Sequence, residues 1–192
     1  MIKVKSDDKT LIIDILSRSF DDNQSVNYIV KQDEKRIRRI RSLMDYSFEM
    51  CYQFGEVLLS DDRKACALIL YPHLKTITLK SIWLDIKLTI QAIGLGGIKK
   101  ALKREKKIKA KQPNKDMAYL WFVGVDPFYQ NKGIGSNLIR MIIQYVNDKN
   151  LPIYLETSTL KNIPWYERFG FQVYDELNLG YPLYFLKRNR DK

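Results

Sequence analysis

The stretch Val123-Gly-Val-Asp-Pro-Phe-Tyr-Gln-Asn-Lys-Gly-Ile-Gly-Ser136 commits the chain to a strand, a glycine turn and a helix in immediate succession. Residues 117–125 form a β-rich apolar run that ends at Asp126-Pro127. A helical pattern follows over 132–149, with Leu138, Ile142 and Val146 on its inner face. A strand that runs through a glycine turn into a helix aims several free backbone N–H groups, and the positive end of the helix dipole, at one spot. Such a spot binds phosphate. Gly133 and Gly135 let phosphates approach the backbone closely, Lys132 adds charge and Ser136 adds a hydroxyl. It is not a nucleotide P-loop, because no Gly-Lys-Ser/Thr follows the glycines. It is not the dinucleotide fingerprint either: the third glycine is missing, and the next acid, Asp148, lies on the helix itself.

The surrounding order fits a layered α/β fold. Residues 1–5 read as a first strand. Leu11, Ile15, Leu16 and Phe20 recur at helical spacing until Asp21-Asp22-Asn23 breaks the run. A longer helix is predicted over 34–54, with Ile37, Ile40, Met44, Phe48 and Cys51 on one stripe. Strands are predicted over 56–60 and 65–71, around the turn Asp61-Asp62-Arg63. Residues 76–111 read as helix, broken at Gly94-Leu95-Gly96-Gly97 and closed by Pro113-Asn114. After the glycine loop come a strand over 151–156, a short helix over 164–169 stopped by Gly170, and strands over 171–174 and 184–187. Strand–helix–strand with close connections indicates a partly parallel sheet.

A length of 192 residues, 45% hydrophobic and 29% charged, is that of one soluble domain. The N-terminus lacks an apolar signal region. The most apolar long stretch, 79–98, contains Lys80, Asp85, Lys87 and Gln91, which argues against a membrane span. Cys51 and Cys66 read as buried reduced thiols, and the expected location is cytoplasmic. His73, the only histidine, follows a strand end with no Cys or carboxylate cluster, and no metal site is expected. The net charge of +11 resides in two patches, 31–41 and the run from Lys99 to Lys111.

Gln130-Asn-Lys-Gly133-Ile-Gly135, preceded by Val125-Asp126-Pro127, resembles the pyrophosphate loop of the GNAT superfamily of N-acetyltransferases. Trp165-Tyr-Glu-Arg-Phe-Gly-Phe171 resembles that family's second signature, Tyr-Glu-x-x-Gly-Phe, in the right order and separation. Residues 123–135, Leu155-Glu-Thr-Ser158 and Asn162-x-Pro-x-Tyr-Glu-Arg-x-Gly-Phe171 look most like the puromycin N-acetyltransferase branch. The N-terminal part matches in general layout only.

The resemblance implies a GNAT-like mixed sheet with helices on both faces and central parallel strands splayed to admit coenzyme A. It implies acetyl-coenzyme A as co-substrate, held by Gln130, Asn131, Lys132, Gly133, Ile134, Gly135 and Ser136, with backbone groups of Phe122, Val123 and Val125 along the pantetheine arm. A β-bulge in that strand would free an N–H for the thioester carbonyl. Lys132 and Lys161 are the cations placed near the cofactor. Tyr166 is the implied general acid for the departing thiolate, against the plainer reading of a half-buried tyrosine with a satisfied hydroxyl.

Glu156 closes a strand on which Leu151, Ile153 and Leu155 share one face and Tyr154 and Glu156 the other. It reads as general base, as ligand of a cationic substrate, or as half of a salt bridge. Where the wider family places an asparagine, this chain has Thr159. Asn162 reads as a helix N-cap with Pro164 in the first turn. Phe20, Tyr28, Tyr46, Trp83 and Trp121 are core residues or walls of an acceptor pocket. Residues 72–113 are expected to be a helical, partly basic insertion, either a lid or a solvated helix, within one domain spanning 1–192.

The expected activity is direct transfer of acetyl to a primary amine of a small molecule, with no covalent enzyme intermediate. Acetylation of a protein N-terminus or lysine is the second reading. A non-catalytic coenzyme A-binding or RNA-associated protein using Lys99 to Lys111 is the third, and a homodimer is left open.

Overall fold

The computed structural model describes residues 2–4, 6–113 and 116–191; Met1, Lys5 and Asn114, which the sequence reading assigned to the first strand and to a closing turn, lie outside the described residues. In chain order the elements are β1 (Ile2–Lys3), α1 (Lys9–Ser19), α2 (Gln24–Ile29), α3 (Arg36–Phe54), β2 (Gly55–Leu59), β3 (Ala65–Leu70), α4 (Leu79–Leu88), α5 (Ile98–Lys109), β4 (Ala118–Val125), α6 (Ile134–Asn147), β5 (Ile153–Thr157), α7 (Ile163–Glu167), β6 (Gln172–Asn178) and β7 (Pro182–Arg188). Every element predicted from periodicity is present, with ends moved by a few residues.

One helix was missed. Asp21-Asp22-Asn23 does break α1, but Asn23 also starts α2, its side-chain oxygen accepting from the Val26 N–H at 3.1 Å. A helix of six residues is too short to show a period, and the capping asparagine was its only signal. Between α4 and α5 the chain makes a π-helical turn over Thr89–Ile93 and a 3-10 turn over Leu95–Gly97. Gly94, at φ +74°, breaks the helix as the glycine cluster predicted.

The described strands form one mixed sheet in the order β1-β2-β3-β4-β5-β7-β6. Only β4 and β5 run parallel. Cores lie on both faces. On one, Ile12, Leu16, Ile40, Met44 and Phe48 from α1 and α3 pack against Leu59, Cys66, Leu68 and Phe122. On the other, Leu138, Ile139, Ile142 and Val146 from α6 pack against Ala65, Ala67, Ile69, Leu120 and Leu155. Cys51 and Cys66 are buried and free, and burial pushes both thiols up. At the β7 end Ile108 of α5 is buried against Tyr181, Leu183 and Phe185. The basic helix is therefore packed on its inner side, rather than solvated all round.

Two irregularities shape the centre. First, β4 is bulged: Leu68 of β3 pairs with Phe122 and the next residue, Ile69, with Leu120, so Trp121 is the extra residue. Second, the parallel ladder between β4 and β5 consists of Ala118↔Ile153 and Tyr119↔Tyr154. Both strands continue beyond it, and among the described residues they pair no further with each other. No helix among the described residues is long and apolar enough to cross a membrane.

Candidate active site

The loop after β4 carries most of the residues picked out from the sequence. Asp126 starts it: its carboxylate accepts from the Phe128 N–H at 3.1 Å and from Arg18 Nη2 at 2.9 Å, which anchors the loop to α1. Asn131 sits at φ 62° and Gly133 at φ 79°, two left-handed residues that turn the chain into α6. Gly133 occupies the N-cap position of α6, and no side chain caps that helix. The first-turn N–H groups near Ile134, Gly135 and Ser136 therefore face outward for an external acceptor.

Lys132 is exposed, its ammonium 5.2 Å from the Tyr129 ring centre. Lys64, from the turn before β3, stands 4.0 Å over the same ring. The loop thus carries a second cation that its own sequence does not show. Lys161 is exposed in the turn before α7.

Two loop residues make contacts that the sequence does not show. Gln130 turns its amide back, Nε2 donating to the Val125 carbonyl at 3.2 Å, and the Ser19 hydroxyl lies 2.7 Å from the same oxygen. The Ser19 hydroxyl is equally close to the Ile15 carbonyl, so its one proton is shared between the two oxygens. Gly135 is small for packing as well as for access: a Cβ there would lie 3.3 Å from Val125 Cγ2 and 3.6 Å from the Trp165 ring. Trp165 also donates its indole N–H to the Ser136 hydroxyl at 3.2 Å. In this way α7 is clamped to the head of α6, and Tyr166 is the next residue along.

Tyr166 is buried among Trp165 and Phe171, ring centres 4.8 and 5.5 Å away, and burial pushes its phenol up. Its hydroxyl makes no hydrogen bond to another described residue. Asn162 sits at the N-cap position of α7 but makes no side-chain cap bond there. Its backbone is already helical, φ −83° and ψ −19°, which turns the side chain away from the first-turn N–H groups. Phe122 is a core side chain, packed edge-on against Phe20 at 5.0 Å; Val123 and Val125 pack toward α6.

A second cluster lies on the face of β4 and β5 turned away from α6. Glu156 is partly buried. Its carboxylate accepts from the Tyr119 hydroxyl and from Gln112 Nε2, the latter at 3.0 Å. Among the described residues it forms no ion pair, so the salt-bridge reading gives way to a phenol and an amide. Burial pushes its carboxyl above the ordinary value of 4.5, against the pull of those two hydrogen bonds.

Tyr119 leads to the bulged Trp121, ring centres 6.2 Å apart, and Trp121 to Tyr46 at 6.2 Å. The Tyr46 hydroxyl donates to Asp85 of α4 at 2.7 Å. The result is a wall in which two phenol–carboxylate pairs flank one indole. Of the five aromatics named from the sequence, Tyr46 and Trp121 belong to it. Phe20 is core, Tyr28 packs on Tyr181 at 5.3 Å, and Trp83 is exposed. Asp85, Gln112 and Tyr119 were not foreseen, because no local pattern connects them.

His73 is exposed, with Nδ1 3.9 Å from Asp116 Oδ1. No cluster of metal-binding side chains occurs among the described residues.

A profile of the "Acetyltransferase (GNAT) family" matches residues 62–171. A fission yeast (Schizosaccharomyces pombe) protein described as an uncharacterized N-acetyltransferase is 49% identical over 53 residues, 28% of this chain. That aligned stretch spans only 22% of the yeast protein. Among solved structures, a Corynebacterium glutamicum protein described as histone acetyltransferase HPA2 and related acetyltransferase superposes with a TM-score of 0.70 at 17% identity, covering 100% of this chain and 96% of that one. Arylalkylamine N-acetyltransferase 2 from Aedes aegypti gives 0.67 at 14% identity, covering 99% and 98%.

Proposed function

Because the chain belongs to the Acetyltransferase (GNAT) family, we propose that it moves an acetyl group from acetyl-coenzyme A to the amine of a small cationic molecule. The observation that carries this reading is the uncapped head of α6, with left-handed Gly133 and the cations Lys132 and Lys64, opening beside the unpaired edges of β4 and β5. These features fit the donor. The α6 head and the two lysines suit a pyrophosphate. In this reading β4 and β5, which share two ladder pairs, part beyond them to admit an amide-bearing arm that needs backbone partners. Residues 1–192 act as one unit in this reading, with 72–113 a helical insertion that roofs the acceptor side, in the cytoplasm.

Acetyl-coenzyme A supplies a thioester that an amine can attack. The protein's own part is to position and to move protons. Glu156 takes a proton from the acceptor's ammonium, directly or through water, and its raised affinity for that proton brings it closer to the task. Tyr119 and Gln112 orient the carboxylate. Tyr166, kept protonated by burial, donates to the leaving thiolate. The bulge at Trp121 frees backbone N–H for the thioester oxygen. The wall of Tyr46, Trp121 and Tyr119, with Asp85 and Glu156, favours an acceptor that is cationic and carries a flat ring. The likeness of residues 123–171 to the puromycin branch puts aminonucleosides first among amines to try.

The first test is calorimetric titration of acetyl-coenzyme A into wild type and Lys132→Glu. Lys132 is exposed, so the change reverses a charge without disturbing packing, whereas any Cβ at Gly135 would press on Val125. Binding should weaken roughly 10-fold or more, the worth of a charge-assisted phosphate contact. Equal affinity in the two proteins would sink the assignment of this loop.

A further inference from the structure

The helix α4 is apolar on both sides. Its inner side, Ser81 and Leu84, is buried, with Leu84 against Met50 and Phe54 of α3. At 100° per residue, Leu79, Ile82, Trp83 and Ile86 lie together on the opposite side, and Ile90 of the following π-helical turn is exposed as well. They run from 45% exposed at Ile82 to 89% at Leu79. A shallow groove of about 380 Å³, with Asp85 and Thr89 also in its lining, joins Ile82, Ile86 and Ile90 to Leu95, itself exposed; the Asp85 carboxylate is taken up by the Tyr46 hydroxyl. Scattered exposed apolar residues need no explanation, but a continuous stripe on an ordered helix does.

Leu95 begins the turn into α5, whose outward face places Leu102 among Lys99, Lys106 and Lys109, with Lys103 beside them. The two basic patches of the sequence differ here. In the first, Arg36 pairs with Asp21, Arg39 with Asp33 and Arg41 with Asp14. In the second, Lys109 pairs with Glu105 and Lys111 with Asp175, while Lys99, Lys103, Lys106 and Lys107 form no ion pair among the described residues. An apolar stripe carrying a tryptophan is thus followed, through the exposed Leu95, by a helix with four unpaired ammonium groups.

We propose that the α4–α5 face docks on an anionic lipid surface, with Trp83 and the isoleucines of α4 entering the headgroup boundary and the α5 lysines on the lipid charges. The charge distribution favours this occupant over a second copy of the chain, which would bring two unpaired lysine rows together. Tryptophan suits a boundary that is apolar on one side and wet on the other, and basic amphipathic surfaces of this kind lie in the membrane interface.

The test is co-sedimentation of the full chain with vesicles of phosphatidylcholine alone and of phosphatidylcholine with phosphatidylserine. Trp83→Leu serves as control for fluorescence, because Trp121 and Trp165 also emit. The chain should bind the anionic vesicles, less tightly as salt rises, with a blue shift that Trp83→Leu abolishes. Reversal of Lys103, Lys106 and Lys107 to Glu should weaken binding on the order of 10²-fold. Ile82→Gln with Ile86→Gln should weaken it roughly 10-fold or more. Both variants alter exposed side chains, and unchanged thermal melting checks that they fold. No binding to anionic vesicles would overturn the proposal. So would binding indifferent to Ile82 and Ile86, the mark of a nucleic-acid or purely electrostatic surface. Concentration-dependent dimerisation lost in the isoleucine variant would also overturn it, since the stripe would then be a subunit interface.

Discussion

Glu156 holds its proton more tightly than an ordinary carboxylate, because burial penalises the charge more than Tyr119 and Gln112 relieve it. Its folded value is raised, so its contribution to stability is fully present below the unfolded value near 4.5 and is lost as pH rises through the folded one. At neutral pH the ionised group therefore costs stability. Glu156→Gln keeps an acceptor for Tyr119 and should melt at or above the wild-type temperature at pH 7, an advantage that fades toward pH 4. The same variant should lower kcat/KM by on the order of 10²–10⁴-fold and remove the acidic limb of its pH profile. Tyr166→Phe should lower kcat while leaving that limb in place. A parallel series of melts and rate profiles checks both; a Glu156→Gln enzyme with the wild-type acidic limb would rule the residue out as base. Tyr166 was legible because it lies in a local motif, whereas the partners of Glu156 arrive from α5's end and from β4.

At the scale of elements, the sheet depends on close approaches that only glycine allows. A Cβ on Gly55 would stand 2.0 Å from the Ile69 carbonyl oxygen, a backbone atom that cannot swing aside. Gly55→Ala should destabilise the protein by about 1–3 kcal/mol through overpacking, measured by denaturant unfolding. No loss would mean that β2 and β3 can separate there without cost. Gly124 admits α1 in a similar way, since its Cβ would meet Leu16 Cδ2 at 2.9 Å. The sequence showed the strands around Gly55 and Gly124 by their apolar runs. It could not show the bulge at Trp121, since an extra residue in one strand is defined only against its partner.

At the scale of the molecule, α5 connects the sheet's far end to the acceptor wall. Arg104 donates to the Tyr181 hydroxyl at 3.2 Å and to the Ser25 hydroxyl at 2.6 Å, and Lys111 pairs with Asp175 at 2.8 Å. Gln112, just past this helix, is the residue that reaches Glu156. Arg104→Ala should loosen the proposed roof and leave the proposed phosphate-binding loop intact. The expected result is a several-fold higher KM for the amine, an unchanged Kd for acetyl-coenzyme A, and faster amide exchange over residues 98–112. Equal loss of affinity for both substrates would show that α5 supports the whole site.

Local chemistry was enough for the proposed donor half. A strand, a glycine loop and a helix head follow one another within residues 117–149, so the N–H groups proposed to face a phosphate are set by neighbours in the chain. The α/β order and the inward stripes of α3 and α6 were legible for the same reason, because periods of two and 3.6 are local properties. The proposed acceptor wall is different. Asp85, Gln112, Tyr119 and Glu156 come from α4, the segment after α5, β4 and β5, and Lys64 reaches Tyr129 from another turn. Which of them meet depends on where β4 stops pairing with β5 and on how α5 crosses the sheet. Those are outcomes of long-range packing, and the tertiary structure alone decided them.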